Sequence, residues 1–153
     1  IKKILSKYSN METKVKNQVV QFMVILVTYL VIDIGYQMSI GLKLMDTIYE
    51  QAGIREVMSE QPNHAWTILI FFLMIAFVLL KLAVEPAIAK VQYLTAVKNG
   101  ALIGVAAYGT TALVFLWTIT GFPFVAMAGF LFEGIAFCSI SSGITAYLAL
   151  QKK

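Results

Sequence analysis

Long apolar stretches alternate with short polar ones along the chain. The apolar stretches lie at about residues 19–42, 65–84, 100–119 and 124–150. A bilayer core about 30 Å thick requires roughly 20 apolar residues in a helix, and each stretch reaches that length. The pattern therefore predicts an all-α integral membrane protein in which four spans pack as a four-helix bundle.

The polar segments also carry helical patterns. Residues 1–18 are rich in lysine, and their apolar side chains fall on one helical face. We therefore expect a basic, amphipathic N-terminal segment that lies along the membrane surface. In the first loop, Leu44, Ile48 and Ala52 follow one another at intervals of four, which predicts a short outer-loop helix. The membrane domain itself is predicted to cover residues 19–150.

Charge predicts the orientation of the bundle. With four spans, the N-terminus, the second loop and the C-terminus lie on one side of the membrane. That side collects nine lysines: Lys2, Lys3, Lys7, Lys14, Lys16, Lys90, Lys98, Lys152 and Lys153. The other side is mainly acidic. Because positively charged loops are retained on the cytoplasmic (or matrix) side, both termini are expected there, with residues 43–64 outside.

Composition agrees with a membrane protein and excludes several kinds of function. Hydrophobic residues make up 59% of the chain and charged residues 13%, whereas soluble domains are about a quarter charged. The lysines set the orientation, so no nucleic-acid surface is predicted. A single histidine, His64, and a single cysteine, Cys138, cannot form a metal site or bis-histidine haem ligation. Without a catalytic motif, the sequence predicts a protein that is not an enzyme and has no cofactor.

Two carboxylates interrupt the apolar spans. Asp33 lies nine residues before the outer end of the first span, and Glu133 lies nine residues into the last. Each is therefore about 14 Å from the outer surface. The third span passes this level at Tyr108, Thr110 and Thr111. We expect these five side chains to meet inside the bundle, where a protonated acid that donates to its partner avoids burying two charges together.

Two interpretations of this predicted polar contact stay open. It is either an interhelical contact that fixes packing, worth about 1 kcal/mol, or part of a proton or solute pathway. Transporters usually also carry a helix broken by Gly or Pro near the midplane. Pro86 and Pro123 are predicted at the ends of spans, which favours the structural interpretation.

Small residues and lysines give two further groups of candidate contacts. Small residues let membrane helices approach closely, and Gly100, Gly104 and Gly134 are predicted at such helix contacts. The predicted inner rim is basic, so it is expected to orient the protein and to hold acidic lipid headgroups. The candidate headgroup residues are Lys14, Lys16, Lys90 and Lys98.

Four short motifs lie along the spans. They are Asp33 followed by Tyr36, the sequence PNHAW at 62–66, Pro86-Ala87, and GALIGVAAYGT at 100–110. With these motifs, residues 19–150 resemble a family of small bacterial four-helix membrane proteins, catalogued as domain of unknown function twenty-one seventy-seven. The resemblance implies the same four-span architecture that the hydrophobic pattern predicts.

The chain also departs from the pattern of that family. The third span of the family continues with an acid and a Thr-Asn pair, where this chain has Ala112, Val114 and Phe115. In the fourth span, Phe130 stands where the family has an acid, and Glu133 stands where it has an aromatic residue. The loss of these acids implies that the role of the family site is lost or changed here, as in a protein reused as a scaffold.

These observations support two functional hypotheses. The first is a non-catalytic accessory subunit of a larger membrane complex, such as a respiratory-chain or ATP synthase assembly of the mitochondrial inner membrane. Its partners would be other membrane subunits and lipids, and a chain that begins at Ile1 rather than Met agrees with a processed targeting segment. The alternative is a small transporter or lipid-handling protein of a bacterial plasma membrane that uses Asp33 and Glu133.

Overall fold

The computed structural model describes residues 2–56 and 65–151, with side chains from residue 12 onward except at 65 and 67. In chain order the elements are α1 (Lys2–Tyr36), a π-helical turn (Gln37–Gly41), α2 (Leu42–Gln51), α3 (Ala65–Leu79), a second π-helical turn (Leu80–Val84), α4 (Glu85–Lys90), α5 (Tyr93–Thr118) and α6 (Phe124–Gln151). Four described stretches are long and apolar enough to cross a membrane: Glu12–Gln51, Ile68–Lys90, Tyr93–Thr118 and Phe124–Gln151. The predicted all-α fold with four spans is confirmed.

The first helix is much longer than the span predicted from hydropathy. α1 runs without interruption from Lys2 to Tyr36, so the boundary predicted at residue 18 is not a break in the helix. The chain has no Gly or Pro before Gly35 that would end or kink this helix. The basic N-terminal segment therefore continues directly into the first span.

The helix of the second span also continues beyond residue 84, where the span is predicted to end. The helical stretch continues through Pro86 to Lys90 and stops at Val91, whose backbone is left-handed with φ 54°. Proline has no N–H, so a regular helix would leave the Leu82 carbonyl without its donor. The Asn99 side chain of α5 donates to that carbonyl at 2.8 Å. Pro86 thus lies inside the helical stretch, which continues to Lys90.

α5 and α6 form a closely packed antiparallel hairpin. The turn between them contains Gly121, whose φ of 83° suits glycine. A Cβ atom added at Gly134 would lie 2.7 Å from the Gly104 carbonyl oxygen, and one at Gly100 would lie 2.5 Å from the Cys138 carbonyl oxygen. The structure therefore places all three predicted glycines where the two backbones touch.

Buried side chains form two clusters. The larger lies between α1, α3, α4, α5 and α6 and includes Ile25, Leu79 and Phe137. The smaller lies at the other end, where the residues after α2 pack on the α5–α6 turn through Ile54 and Phe122. α2 lies where the sequence predicts a short first-loop helix, but it continues α1 through the π-helical turn as one helical stretch, Glu12–Gln51.

Candidate functional site

A cluster of tyrosines and carboxylates occupies the interior between these two groups of apolar side chains. α1 supplies Tyr29, Asp33 and Tyr36, because residues spaced by four and three lie on one helical face. α6 supplies Glu133, whose side chain is almost completely buried, with 3% exposure. We call these four residues, together with Tyr108 of α5, the polar cluster.

Glu133 is the centre of the polar cluster. Its carboxyl faces the Tyr36 hydroxyl, and it lies near Tyr49 of α2. The Asp33 carboxyl is close enough for two negative charges to repel each other. One carboxyl oxygen of Glu133, Oε1, has no hydrogen-bond partner within the described part of the chain. The site therefore buries an acid with unused hydrogen-bonding capacity.

Asp33 is half-buried and is held by its own helix. Its carboxyl lies beside the side-chain amide of Gln37, one turn further along the chain. Gln37 begins the first π-helical turn, which ends at the buried Gly41. A Cβ atom at Gly41 would lie 2.6 Å from Gln37 Oε1 and 2.7 Å from Tyr36 Cε1. The absence of a side chain at Gly41 therefore makes room for the side chains that contact both acids.

Two tyrosine hydroxyls meet deeper in the bundle. The hydroxyl of Tyr29 on α1 is hydrogen-bonded to that of Tyr108 on α5, and either can be the donor. Aromatic rings surround the pair: the Tyr29 and Phe137 centroids are 6.0 Å apart, and those of Phe71 and Tyr108 are 5.8 Å apart. Buried hydroxyls are costly without a partner, so this contact ties α1 to α5.

The structure brings together three of the five residues predicted for the intramembrane contact. Asp33, Glu133 and Tyr108 lie in the polar cluster, whereas the two threonines do not join it. The hydroxyl of Thr110 donates to Ala106 O at 2.6 Å, and that of Thr111 donates to Ala107 O at 3.0 Å. Both threonines thus bond their own helix one turn back, a common choice in apolar surroundings.

The predicted intramembrane contact did not include Tyr29, Tyr36 or Tyr49. Tyr29 lies four residues before Asp33 and Tyr36 lies three residues after it, and this spacing is a readable signal for one helical face. Tyr49 carries no such signal, because its position near Glu133 depends on how the end of the helical stretch Glu12–Gln51 packs beside α6.

No metal site is present in the described ranges. No three of their His, Cys, Asp and Glu side chains come together as ligands. His64 lies outside the described residues, as do Lys152 and Lys153. The carboxyls and phenols of the polar cluster can exchange protons and form hydrogen bonds.

The four lysines predicted to contact lipid headgroups separate into two pairs. Lys14 and Lys16 line a cleft between α1, α4 and α6. Lys90 at the end of α4 and Lys98 in α5 are exposed and do not line that cleft.

The four apolar helices define the class of the protein, a four-span integral membrane protein. The chain belongs to the family of predicted membrane proteins DUF2177, whose model matches residues 18–147. This membership confirms the resemblance indicated by the four motifs. No curated protein and no solved structure matches the chain.

Proposed function

We propose that the protein is a small membrane transport protein that binds a proton between Asp33 and Glu133. The observation that carries this proposal is the Oε1 atom of Glu133, which is buried without a partner beside a second carboxyl. Burying an acid in a membrane span is energetically costly. An acid that is kept there without full pairing is therefore a candidate functional residue. A proton on either carboxyl would remove the repulsion and supply the missing donor.

The surrounding tyrosines suit this role. A phenol hydroxyl both donates and accepts, so Tyr36 can face Glu133 in either protonation state. The π-helical turn at Gln37–Gly41 directly follows the cluster on α1. Such turns are frequent at functional sites. Together these features support a functional role for the acids of the polar cluster.

The proton itself can be measured by infrared spectroscopy. In purified protein in lipid bilayers, we expect a protonated carboxyl C=O band that shifts in heavy water and is lost in Glu133→Gln or Asp33→Asn. The matched control is Glu50→Gln, because Glu50 is an exposed acid on α2 outside the cluster. If the wild-type protein has no such band, or the control removes it equally, the shared proton is ruled out.

Transport is tested by reconstitution. Liposomes that contain a pH-sensitive dye and carry a potassium diffusion potential should acidify faster with the wild-type protein than without it. Asp33→Asn and Glu133→Gln should abolish the difference while the protein stays helical, because the amides preserve shape and hydrogen bonding but neither bind nor release a proton near neutral pH. Proton flux that survives in both variants would contradict the proposal.

The accessory-subunit hypothesis remains the competing proposal and rests on the sequence alone. Gentle detergent extraction followed by native mass analysis distinguishes the two. A complex with other subunits would support the accessory role, whereas a small homo-oligomer or monomer would support transport. The mitochondrial inner membrane and the bacterial plasma membrane both carry a proton gradient, so proton transport does not distinguish between them. Cell fractionation tests the location.

A further inference from the structure

A large cleft lies between α1, α4 and α6, at the end of the bundle where α1 is basic. Its volume is about 1020 Å³. Pockets for small molecules span roughly 300–1,000 Å³, so this cleft lies at the upper end of that range. The polar cluster lies further along α1, at residues 29–36, and shares no residue with the cleft. The cleft is therefore a separate candidate site.

The lining of the cleft changes character along α1. Lys14, Lys16 and Asn17 are at one end, and Val20 and Val24 follow toward the middle of the span. Lys16 and Val24 are about 12 Å apart along the helix at about 1.5 Å per residue. Ile88 of α4 and Leu148 of α6 add apolar surface from the facing helices. A ligand would match both parts of the cleft if it had a charged group at the membrane surface and an apolar chain directed into the bilayer.

The charge of the cleft is positive. Its one carboxylate, Glu85, is paired with Lys81 at 2.5 Å and also accepts a hydrogen bond from Gln18 at 2.8 Å. Neither Lys14 nor Lys16 forms a salt bridge with any residue that the structure describes. Two lysines are therefore available to a ligand, and the acid that could oppose them is neutralised.

We propose that this cleft binds one anionic phospholipid, with its phosphate at the end of the cleft that Lys14 and Lys16 line and an acyl chain along Val20, Val24 and Leu148. Basic pockets between spans on the cytoplasmic side bind anionic headgroups in this way. The basic end of the cleft corresponds to the headgroup of a lipid in the same leaflet, and the apolar end corresponds to its acyl chains. The Gln18–Glu85 contact joins α1 to α4 beside the bound headgroup. This proposal does not depend on proton binding at Glu133.

Native mass spectrometry with added lipid tests the site. The protein in a neutral detergent is titrated with phosphatidylglycerol, with phosphatidylcholine, and with glycerol phosphate as a headgroup without chains. We expect phosphatidylglycerol to bind best and glycerol phosphate to displace it poorly. The double variant Lys14→Gln/Lys16→Gln should lower phosphatidylglycerol affinity by roughly tenfold or more. Lys14→Arg/Lys16→Arg should restore it, because the charge returns.

The matched control is Lys90→Gln/Lys98→Gln, which removes the same charge from exposed lysines outside the cleft. It should leave phosphatidylglycerol affinity within about twofold of wild type. An equal loss of affinity in both double variants would mean that the lipid is attracted to the charged surface in general and not bound in this cleft. Equal binding of the two phospholipids, or full displacement by glycerol phosphate, would also overturn the proposal. Circular dichroism of each variant checks that the helices persist, as expected for exposed side chains.

Discussion

Gly41 is the residue on which the geometry around both acids depends. An added Cβ would collide with Gln37 and Tyr36, the side chains that contact Asp33 and Glu133. We expect Gly41→Ala to lower the free energy of unfolding by about 1–3 kcal/mol, the usual cost of overpacking. Thermal unfolding in detergent micelles measures this loss of stability.

Gly35→Ala is the matched control, because no atom lies within 4 Å of a Cβ built there. It should be neutral or slightly stabilising, since alanine favours a helix by about 1 kcal/mol over glycine. Equal destabilisation by the two variants would contradict the steric account of Gly41.

The hydroxyl pair of Tyr29 and Tyr108 should be coupled energetically. Tyr29→Phe or Tyr108→Phe each leaves one buried hydroxyl without its partner, whereas the double variant removes both. We expect the double variant to be less destabilised than the sum of the singles, by about 0.6–1.7 kcal/mol, the range of such contacts in membrane proteins. A double-mutant cycle of unfolding free energies measures this coupling, and strict additivity would refute it.

Depth along a helix can be predicted from sequence, but rotation about its axis is harder to predict. Matching the depths of Asp33 and Glu133 predicted their proximity, and the structure places both in the polar cluster. Depth alone also suggested Thr110 and Thr111, yet these hydroxyls bond their own backbone. In apolar surroundings a threonine hydroxyl can donate to the carbonyl one turn back on its own helix, so depth alone does not show that it contacts another helix.

At the scale of elements, Pro86 and Asn99 act as a pair. Asn99 donates to Leu82 O, the carbonyl that would face the missing N–H of Pro86 in a regular helix. Asn99→Ala should therefore destabilise the protein by about 1 kcal/mol through loss of this hydrogen bond. In a Pro86→Ala background the same change should cost clearly less, because the restored N–H can serve the carbonyl. An equal cost of Asn99→Ala in both backgrounds would refute this pairing.

Hydropathy predicted the existence of the four spans but not their continuity. The pattern of apolar residues ended the second span at 84, whereas the helical stretch continues through Pro86 to Lys90. A side chain from another helix compensates the proline, and a single-sequence pattern does not contain that information. The same holds for α1, where polar residues 2–18 extend an apolar helix.

At the scale of the molecule, α1 packs on the α5–α6 hairpin less closely than α5 and α6 pack on each other. Glycines bring α5 and α6 into backbone contact, while α1 meets them through large side chains such as Tyr29 and Phe22. α1 therefore packs on the hairpin through side chains rather than through its backbone. It contributes residues to the polar cluster at one end and to the lysine-lined cleft at the other, so the two sites share one helix.

The orientation of the whole bundle is the last prediction. Four spans with a basic inner rim place residues 6 and 92 on one side of the membrane and residue 59 on the other. Ser6→Cys, Gln92→Cys and Ser59→Cys are made separately on a Cys138→Ala background, since Cys138 is the only cysteine. In intact right-side-out vesicles, a membrane-impermeant maleimide should label only position 59, and permeabilisation should expose the other two. Labelling of positions 6 and 59 from the same side would contradict the four-span arrangement. Labelling of 6 and 92 without 59 would keep four spans but reverse their orientation.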